Sequence, residues 1–301
     1  GRYSAFQTDP GTTTGRQNQS RNPYVETKGG HGCVLHIHRQ ASTLVPRTIG
    51  PPAAAGPDLP GGNMKLLAFD TTAHARSLAL AVDGIVIAAH THSLRSQHSA
   101  RLIPDLQGLL AAVDLAPKDL DMLVIVRGPG SFTSIRVGMT TAKTLAYSLH
   151  IPIIAVDSLE TTAYALLPLY DPVCVLLDAR KKEVYAACYR LQDGDPAATF
   201  GPLVLPVHEV PAAMLESHLV TGTALGPYGA VLHDLTPAAR RAPEHYWLPR
   251  AEWGLRLAMH RLANDTASPV TDFSALAALT PRYLRKPDAE VNWEKKYGTK
   301  A

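Results

Sequence analysis

The order in which apolar stretches follow one another after Met64 constrains this chain more than any other feature. "KLLAFDTT" has buried-strand character and ends in Asp70 and two hydroxyl residues, Thr71 and Thr72. "SLALAVDG" and "IVIAAHTH" come next, joined by Asp83-Gly84, a dipeptide suited to a two-residue hairpin turn. Over residues 98–113, Leu102, Ile103, Leu106, Leu109, Leu110 and Val113 recur at helical spacing. The strand pattern "DMLVIV" then runs into a glycine loop. A second helix is expected over 134–149, a strand over 151–156, and a helix over "SLETTAYALL". Three strands followed by helix, strand, helix and strand predict a mixed α/β sheet with helices packed on it. The pattern restarts at "VCVLLDARKKEVYAACYRL", read as strand, charged turn and strand. A strand near 201–207, the segment "HLVTGTALGPYG" and a helix over 251–262 are expected to complete a second half. The boundary between halves falls at residues 168–172.

Residues 1–63 differ. They are rich in Gly, Pro, Thr, Asn and Gln, and no period of two or 3.6 persists, so no face can be buried to offset chain entropy. They are expected to be a disordered leader, either added sequence or an over-long start, with the natural domain opening at Met64. The leader holds His31, Cys33, His36 and His38, but no second ligand pair follows at zinc-finger spacing. The expected organisation is leader 1–63, first subdomain 64–168, second subdomain 169–287 and tail 288–301.

The net charge of +3 comes from the leader, where six Lys/Arg meet three Asp/Glu. From Met64 onward there are 23 of each, so the globular part is neutral and has no overall field for non-specific nucleic-acid binding. Three cysteines among 301 residues make no disulfide framework, which fits a cytoplasmic setting. Cys174 and Cys188 lie symmetrically about a turn and are expected to face each other across it as core or half-buried thiols. No apolar run reaches membrane-spanning length, so no membrane role is expected.

"RGPGSFTSIRVGMTTAKTLAYSL" has the look of a phosphate loop entering a helix. Glycines let backbone N–H groups approach an anion, and a helix start adds favourable partial charge. No Lys-Ser/Thr pair follows a glycine, and Lys143 lies well inside the helix, so this is no P-loop. An anion-friendly loop remains, with Asp70, Thr71, Gly128, Gly130 and Ser131 as its candidate residues. Asp70, Thr71 and Thr72 could equally serve as a strand end that satisfies turn backbone groups. Ser131 or Thr133 could act only as a helix cap. Gly138, Ala142 and Ala146 form a smooth stripe at which another element can approach, either the chain's own sheet or a partner. His90, His92 and His98 read as a solvated connection rather than a metal set. Asp178 to Glu183 reads as a solvated turn, and Arg282, Tyr283, Arg285 and Lys286 as an exposed tail.

Several stretches together resemble the TsaB (YeaZ) family: "LLAFDTTAHARSLALAVDG", "HSARLIPDLQGLL", "GPGSFTSIRVGMTTAKTLA", "IPIIAVDSLE", "LLDARKKEVYAA" and "PRYLR". The similarity runs from Met64 to Arg285. It implies an actin-like, sugar-kinase-like ATPase fold (ribonuclease H-like) of two related subdomains with mixed sheets and flanking helices. It also implies a non-catalytic scaffold in tRNA threonylcarbamoyladenosine synthesis, pairing as a heterodimer with a catalytic paralogue, TsaD, that modifies adenosine 37. Implied too are a TsaE-type ATPase in a larger complex, a homodimer through the same helices when the partner is absent, and only indirect contact with tRNA. No cofactor is expected on the chain alone, since ATP and metal would be handled by the partner subunits.

TsaD-like proteins carry a His-x-x-x-His metal pair where this chain has Ser158 and Thr162, and hydroxyls are poor transition-metal ligands. Neither a catalytic residue nor a metal site is therefore expected. The interface is expected on Leu102, Leu106, Ile135, Gly138, Met139, Ala142 and Ala146. TsaB proteins usually have glycine where Ser134 stands, which would strain the loop only if that position needs a left-handed conformation. The alternatives are an ATP-dependent small-molecule kinase or ATPase of the same fold, and a peptidase of the M22-like kind, for which no nucleophile–base pair is visible.

Overall fold

A computed structural model of the chain describes residues 32–35, 63–93, 101–286, 290, 293 and 296–298. The side chains of His31, Cys33, His36, His38 and His98 lie outside the described residues. In chain order the strands and helices are β1 (Gly32–Leu35), β2 (Lys65–Asp70), β3 (Ala75–Val82), β4 (Ile85–Ser93), α1 (Leu102–Ala111), β5 (Met122–Val126), α2 (Phe132–Leu149), β6 (Ile153–Val156) and α3 (Ser158–Tyr164). They continue with β7 (Val173–Arg180), β8 (Glu183–Gln192), β9 (Asp195–Pro206), α4 (Ala212–Glu216), β10 (Leu219–Thr221), α5 (Leu225–Leu235), β11 (Arg240–Arg241), α6 (Ala251–Ala263) and α7 (Phe273–Ala278).

The two sheets share one plan. In the first, β2, β3 and β4 form an antiparallel meander, and β5 and β6 add in parallel on the other side of β2. In the second, β7, β8 and β9 form the meander, and β10 and β11 add in parallel beside β7. The turn at Asp83-Gly84 has positive φ at both residues, as a tight hairpin with right-handed strand twist requires. β1 pairs with β4, so four residues of the stretch read as structureless extend the first sheet.

Alternation along β2 sends Leu67 and Phe69 to one face and Leu66 and Ala68 to the other. α1 and α2 cover the first face through Leu102, Leu106, Met139, Ala142 and Ala146. The opposite face is covered by α6, through Leu255, Ala258 and Met259. That helix was expected with the second half. Its three-to-four spacing of apolar side chains is satisfied instead against β2, β3 and β5. Reciprocally, α3 belongs by sequence to the first half yet buries Leu159 and Ala163 against Val173, Val175 and Leu177 of the second sheet. The two halves thus exchange a helix. α4 and α5 cover the remaining face, around Cys174, Leu176 and Cys188.

The small-residue stripe on α2 is corrected as an interface. Leu102, Leu106, Ile135, Gly138, Met139, Ala142 and Ala146 are all buried within the chain itself, Ala142 at 0% exposure. Small side chains let α2 sit close to its own sheet, and that packing consumes the whole stripe. What α1 and α2 leave exposed includes Ile103 (42%) and Tyr147 (57%). Among the described residues no helix is long and apolar enough to cross a membrane.

Candidate functional site: a basic cleft between the sheets

β2 and β7 are the central strands of their sheets, and each ends near a carboxylate, Asp70 and Asp178. The loops after these strands, with the Gly130 loop, enclose a cavity of about 500 Å³. Its walls include Thr72, His74, Gly130, Ser131, Phe132 and Arg136 from the first half. Asp178, Arg180, Lys181, Tyr185, Thr223 and Arg285 face them.

Of the five candidate loop residues, only Gly130 and Ser131 line this cavity. Gly130 is pressed against the Thr72 carbonyl, where a Cβ would overlap it, and the Ser131 amide donates to the same carbonyl at 2.8 Å. Asp70 is sealed beneath at 1% exposure. Its Oδ1 accepts from the amide and hydroxyl of Thr72, both at 2.7 Å, while Oδ2 is buried with no partner. Burial pushes its carboxyl up to about 6, against the lowering effect of the Thr72 hydrogen bonds. Thr71 donates from Oγ1 to the Ser134 carbonyl at 2.8 Å. Gly128 accepts from the Ser158 amide through its carbonyl at 2.9 Å. These three residues support the loop from behind.

Ser134 lies inside the first turn of α2 and does not adopt positive φ, so serine is accommodated without strain. Ser131 is the N-cap residue of α2 but makes no capping bond with its side chain; its hydroxyl lies 3.1 Å from that of Ser134.

Ser158 and Thr162 are fully engaged by backbone. Ser158 Oγ donates to the Pro129 carbonyl at 2.6 Å, and Thr162 Oγ1 donates to the Ser158 carbonyl at 2.7 Å. Two buried hydroxyls spent on carbonyls do not fit a transition metal. The described residues contain no group of three or more His, Cys, Asp or Glu side chains placed to hold an ion. His90 and His92 lie on β4 rather than in a connection, with ring centroids 3.8 Å apart. They sit beside Arg76 and Asp105, a buried ion pair that ties β3 to α1.

Two stretches read as solvated are part of the site. At the β7–β8 turn, Arg180, Lys181 and Lys182 all have positive φ, an uncommon run for residues with side chains. Asp178 organises this turn: its Oδ1 accepts from the Arg180 amide at 2.8 Å and from Tyr228 Oη at 3.2 Å. The "PRYLR" stretch is a strap across both halves. The Arg282 amide donates to the Arg127 carbonyl at 2.9 Å, and its guanidinium joins that of Arg127 on the buried carboxylate of Asp157. Tyr283 stacks on Phe132 with centroids 4.7 Å apart and accepts at Oη from Arg136 Nε at 2.9 Å. Arg285 reaches the second sheet, donating to the Ala179 carbonyl at 2.9 Å and lying 3.3 Å from Glu183 Oε2. The sequence signal for the turn was its place at the end of β7, matching that of the "DTT" stretch after β2.

Two sheets of the same three-two strand plan, with a cleft where their central strands end, define an actin-like, sugar-kinase-like ATPase fold. Comparison with known proteins agrees. Residues 86–293 match the model of the TsaD family, described as tRNA N6-adenosine threonylcarbamoyltransferase. The chain is 42% identical over 131 residues to the Bacillus subtilis tRNA threonylcarbamoyladenosine biosynthesis protein TsaB, covering 44% of this chain and 57% of that one. It is 32% identical over 199 residues to an uncharacterized protein of Mycobacterium tuberculosis, covering 64% and 77% respectively. A Pseudomonas aeruginosa structure with similarity to the peptidase YeaZ superposes with a TM-score of 0.62 at 30% identity, covering 74% of this chain and all of that one. The chain belongs to the TsaD-related family, on its TsaB (YeaZ) branch. It spans a little over half the length of the curated TsaB relatives from Bacillus subtilis, Escherichia coli and Haemophilus influenzae that it matches.

Proposed function

We propose that this chain is a non-catalytic subunit that pairs with a TsaD-type catalytic protein in threonylcarbamoylation of adenosine 37 of tRNA. The observation that carries this reading is the pair Ser158 and Thr162. Where the resemblance to TsaD-type proteins puts a metal-binding histidine pair, both side chains are buried and bonded to backbone. A protein of this family without those ligands contributes through what it binds. The outer faces of α1 and α2, with Ile103 and Tyr147, are the surface available for docking, because the inner faces are spent on the chain's own core. In a heterodimer of this kind, ATP and metal would be held by the partner, a TsaE-type ATPase would join the larger complex, and tRNA would be engaged chiefly by the catalytic subunit. The cytoplasm, where tRNA is modified, is the compartment this role requires.

Co-expression with the cognate TsaD followed by gel filtration tests the pairing, and nucleoside mass spectrometry after depletion tests the pathway. Co-elution with loss of threonylcarbamoyladenosine on depletion is expected. Separate elution at micromolar concentration, or unchanged modification, overturns the reading.

A further inference from the structure

α1 buries a charge on its apolar side. Its inward face carries Leu102, Leu106, Leu109 and Leu110, and among them Asp105, which is 9% exposed. A carboxylate placed there needs a cation, and Arg76 of β3 supplies one: its Nε donates to Asp105 Oδ2 at 2.8 Å. Arg76 is itself buried. This ion pair is a polar joint between α1 and the first sheet.

Two imidazoles share the joint. His90 and His92 are two residues apart on β4, so they point to one face of the sheet. Their register partners on β3 are Leu78 and Arg76, and Leu78 belongs to the core that α1 covers. The two rings are 3.8 Å apart, and His92 Nε2 lies 3.8 Å from Asp105 Oδ2. His90 Nε2 is buried with no hydrogen-bond partner. Among the described residues, the charged groups that act on the rings are Arg76 from β3, Asp105 from α1 and Arg101 just before α1. On β1 the register partners of His90 and His92 are Val34 and Gly32, which carry no charge. One carboxylate thus already serves a guanidinium, and each protonated ring would add a further cation beside it. Burial holds both imidazoles below the ordinary 6.5. His92 and Arg76 add to this at His90, and Arg76 and Arg101 at His92, against the opposing pull of Asp105.

We propose that His90 and His92 form an acid-sensitive latch for α1. Neutral, they pack beneath the helix; protonated together, they repel Arg76 and each other and release α1 from the sheet. The sign follows from proton uptake. The released form binds protons from pH 6.5 downward while the latched form resists them, so attachment of α1 is strongest above 6.5 and weakens as pH falls below it. Two protons taken up on release raise the opening constant by as much as about a hundredfold per pH unit. Asp70 acts in the opposite direction, favouring the folded chain as pH falls, so loss of α1 alone is distinct from general acid unfolding. If the outer face of α1 docks a partner, the same protons would also control docking. That consequence rests on the function proposed above, whereas the latch belongs to the chain itself.

Hydrogen exchange of the full chain alone, read by mass spectrometry and corrected for intrinsic rates, is the experiment. Between pH 7.5 and 5.5 the protection of residues 102–111 should fall about tenfold or more, while that of residues 251–263 in α6 does not fall. In the double variant His90→Gln/His92→Gln the protection of 102–111 should be independent of pH. Each single variant should show a shallower dependence than the parent. NMR titration of the parent, with the single variants assigning the two signals, should place both imidazoles below 6.5, a readout that does not require the double variant to fold. Protection of 102–111 that stays constant in the parent overturns the proposal. So does a fall shared equally by α6, a fall that persists in the double variant, or either imidazole titrating at or above 6.5.

Discussion

Gly138 of α2 lies so close to Thr71 that a methyl group on it would overlap Thr71 Oγ1, the atom that donates to the Ser134 carbonyl. Helix and strand end are locked together at a point where only a missing side chain makes room. Gly138→Ala should therefore destabilise the fold by about 2 kcal/mol or more, although alanine is the better helix former. Thr71→Ala removes the obstruction together with one hydrogen bond. The double variant should then lose less stability than the two single variants added together. Urea unfolding of the four proteins checks this, and a neutral Gly138→Ala would show that the contact does not exist.

Ala142 is wholly enclosed by the first core, so Ala142→Arg should prevent folding, at a cost of about 3 kcal/mol or more from overpacking and a buried charge. Tyr147→Glu, on the exposed face of the same helix, should change stability by only about 0.5 kcal/mol. It should weaken co-elution with a TsaD-type partner. Thermal melts and gel filtration of the two variants separate core from docking face. A folded Ala142→Arg protein would mean that the stripe is open after all.

Asp70 sets a pH dependence of unusual sign. Its folded value of about 6 lies above the ordinary 3.8, so between these the folded chain holds a proton that the unfolded chain has released. Its contribution to stability is greatest below 3.8 and declines as pH rises through about 6. Over the whole window the loss is about 3 kcal/mol at 1.36 kcal/mol per pKa unit. Asp70→Asn should therefore be more stable than the parent at pH 8, by about 1–3 kcal/mol, with the gain shrinking toward pH 4.5. Melting temperatures across that range test it, and a difference independent of pH would refute it.

Cys174 and Cys188 are direct cross-strand partners, both buried, and burial holds the Cys174 thiol well above its ordinary range. Neither should be accessible to a thiol reagent in the folded protein. With Cys33 replaced by serine, Ellman's reagent should find no fast-reacting thiol in native buffer and two in urea. Fast native labelling would place at least one of them at the surface.

The sheet plan was legible because it depends on period. Alternation in "LLAFD" and three-to-four spacing in "LIPDLQGLL" encode both element and buried face. What packs on the small-residue side of α2 was not legible. A stripe of Gly138, Ala142 and Ala146 signals close approach without naming what approaches, and here it is β5 and its neighbours. The site was read by half. Gly130 and Ser131 announce themselves as a loop before a helix, but Arg136, Arg180 and Arg285 come together only when both sheets have folded. Charged residues after a strand look the same whether they face water or a cleft. The swapped positions of α3 and α6 were likewise hidden, since spacing shows that a helix has an apolar face and not which sheet will receive it.

That exchange of helices has a consequence for how the protein is made. The face of the first sheet formed by Leu66, Ala68, Val124 and Val126 waits for α6, which leaves the ribosome only after the entire second sheet. A nascent chain must therefore carry a bare greasy surface through most of its synthesis. A message cut short before Ala251 would leave that surface permanently uncovered, a substrate for chaperones and proteases rather than a smaller working protein.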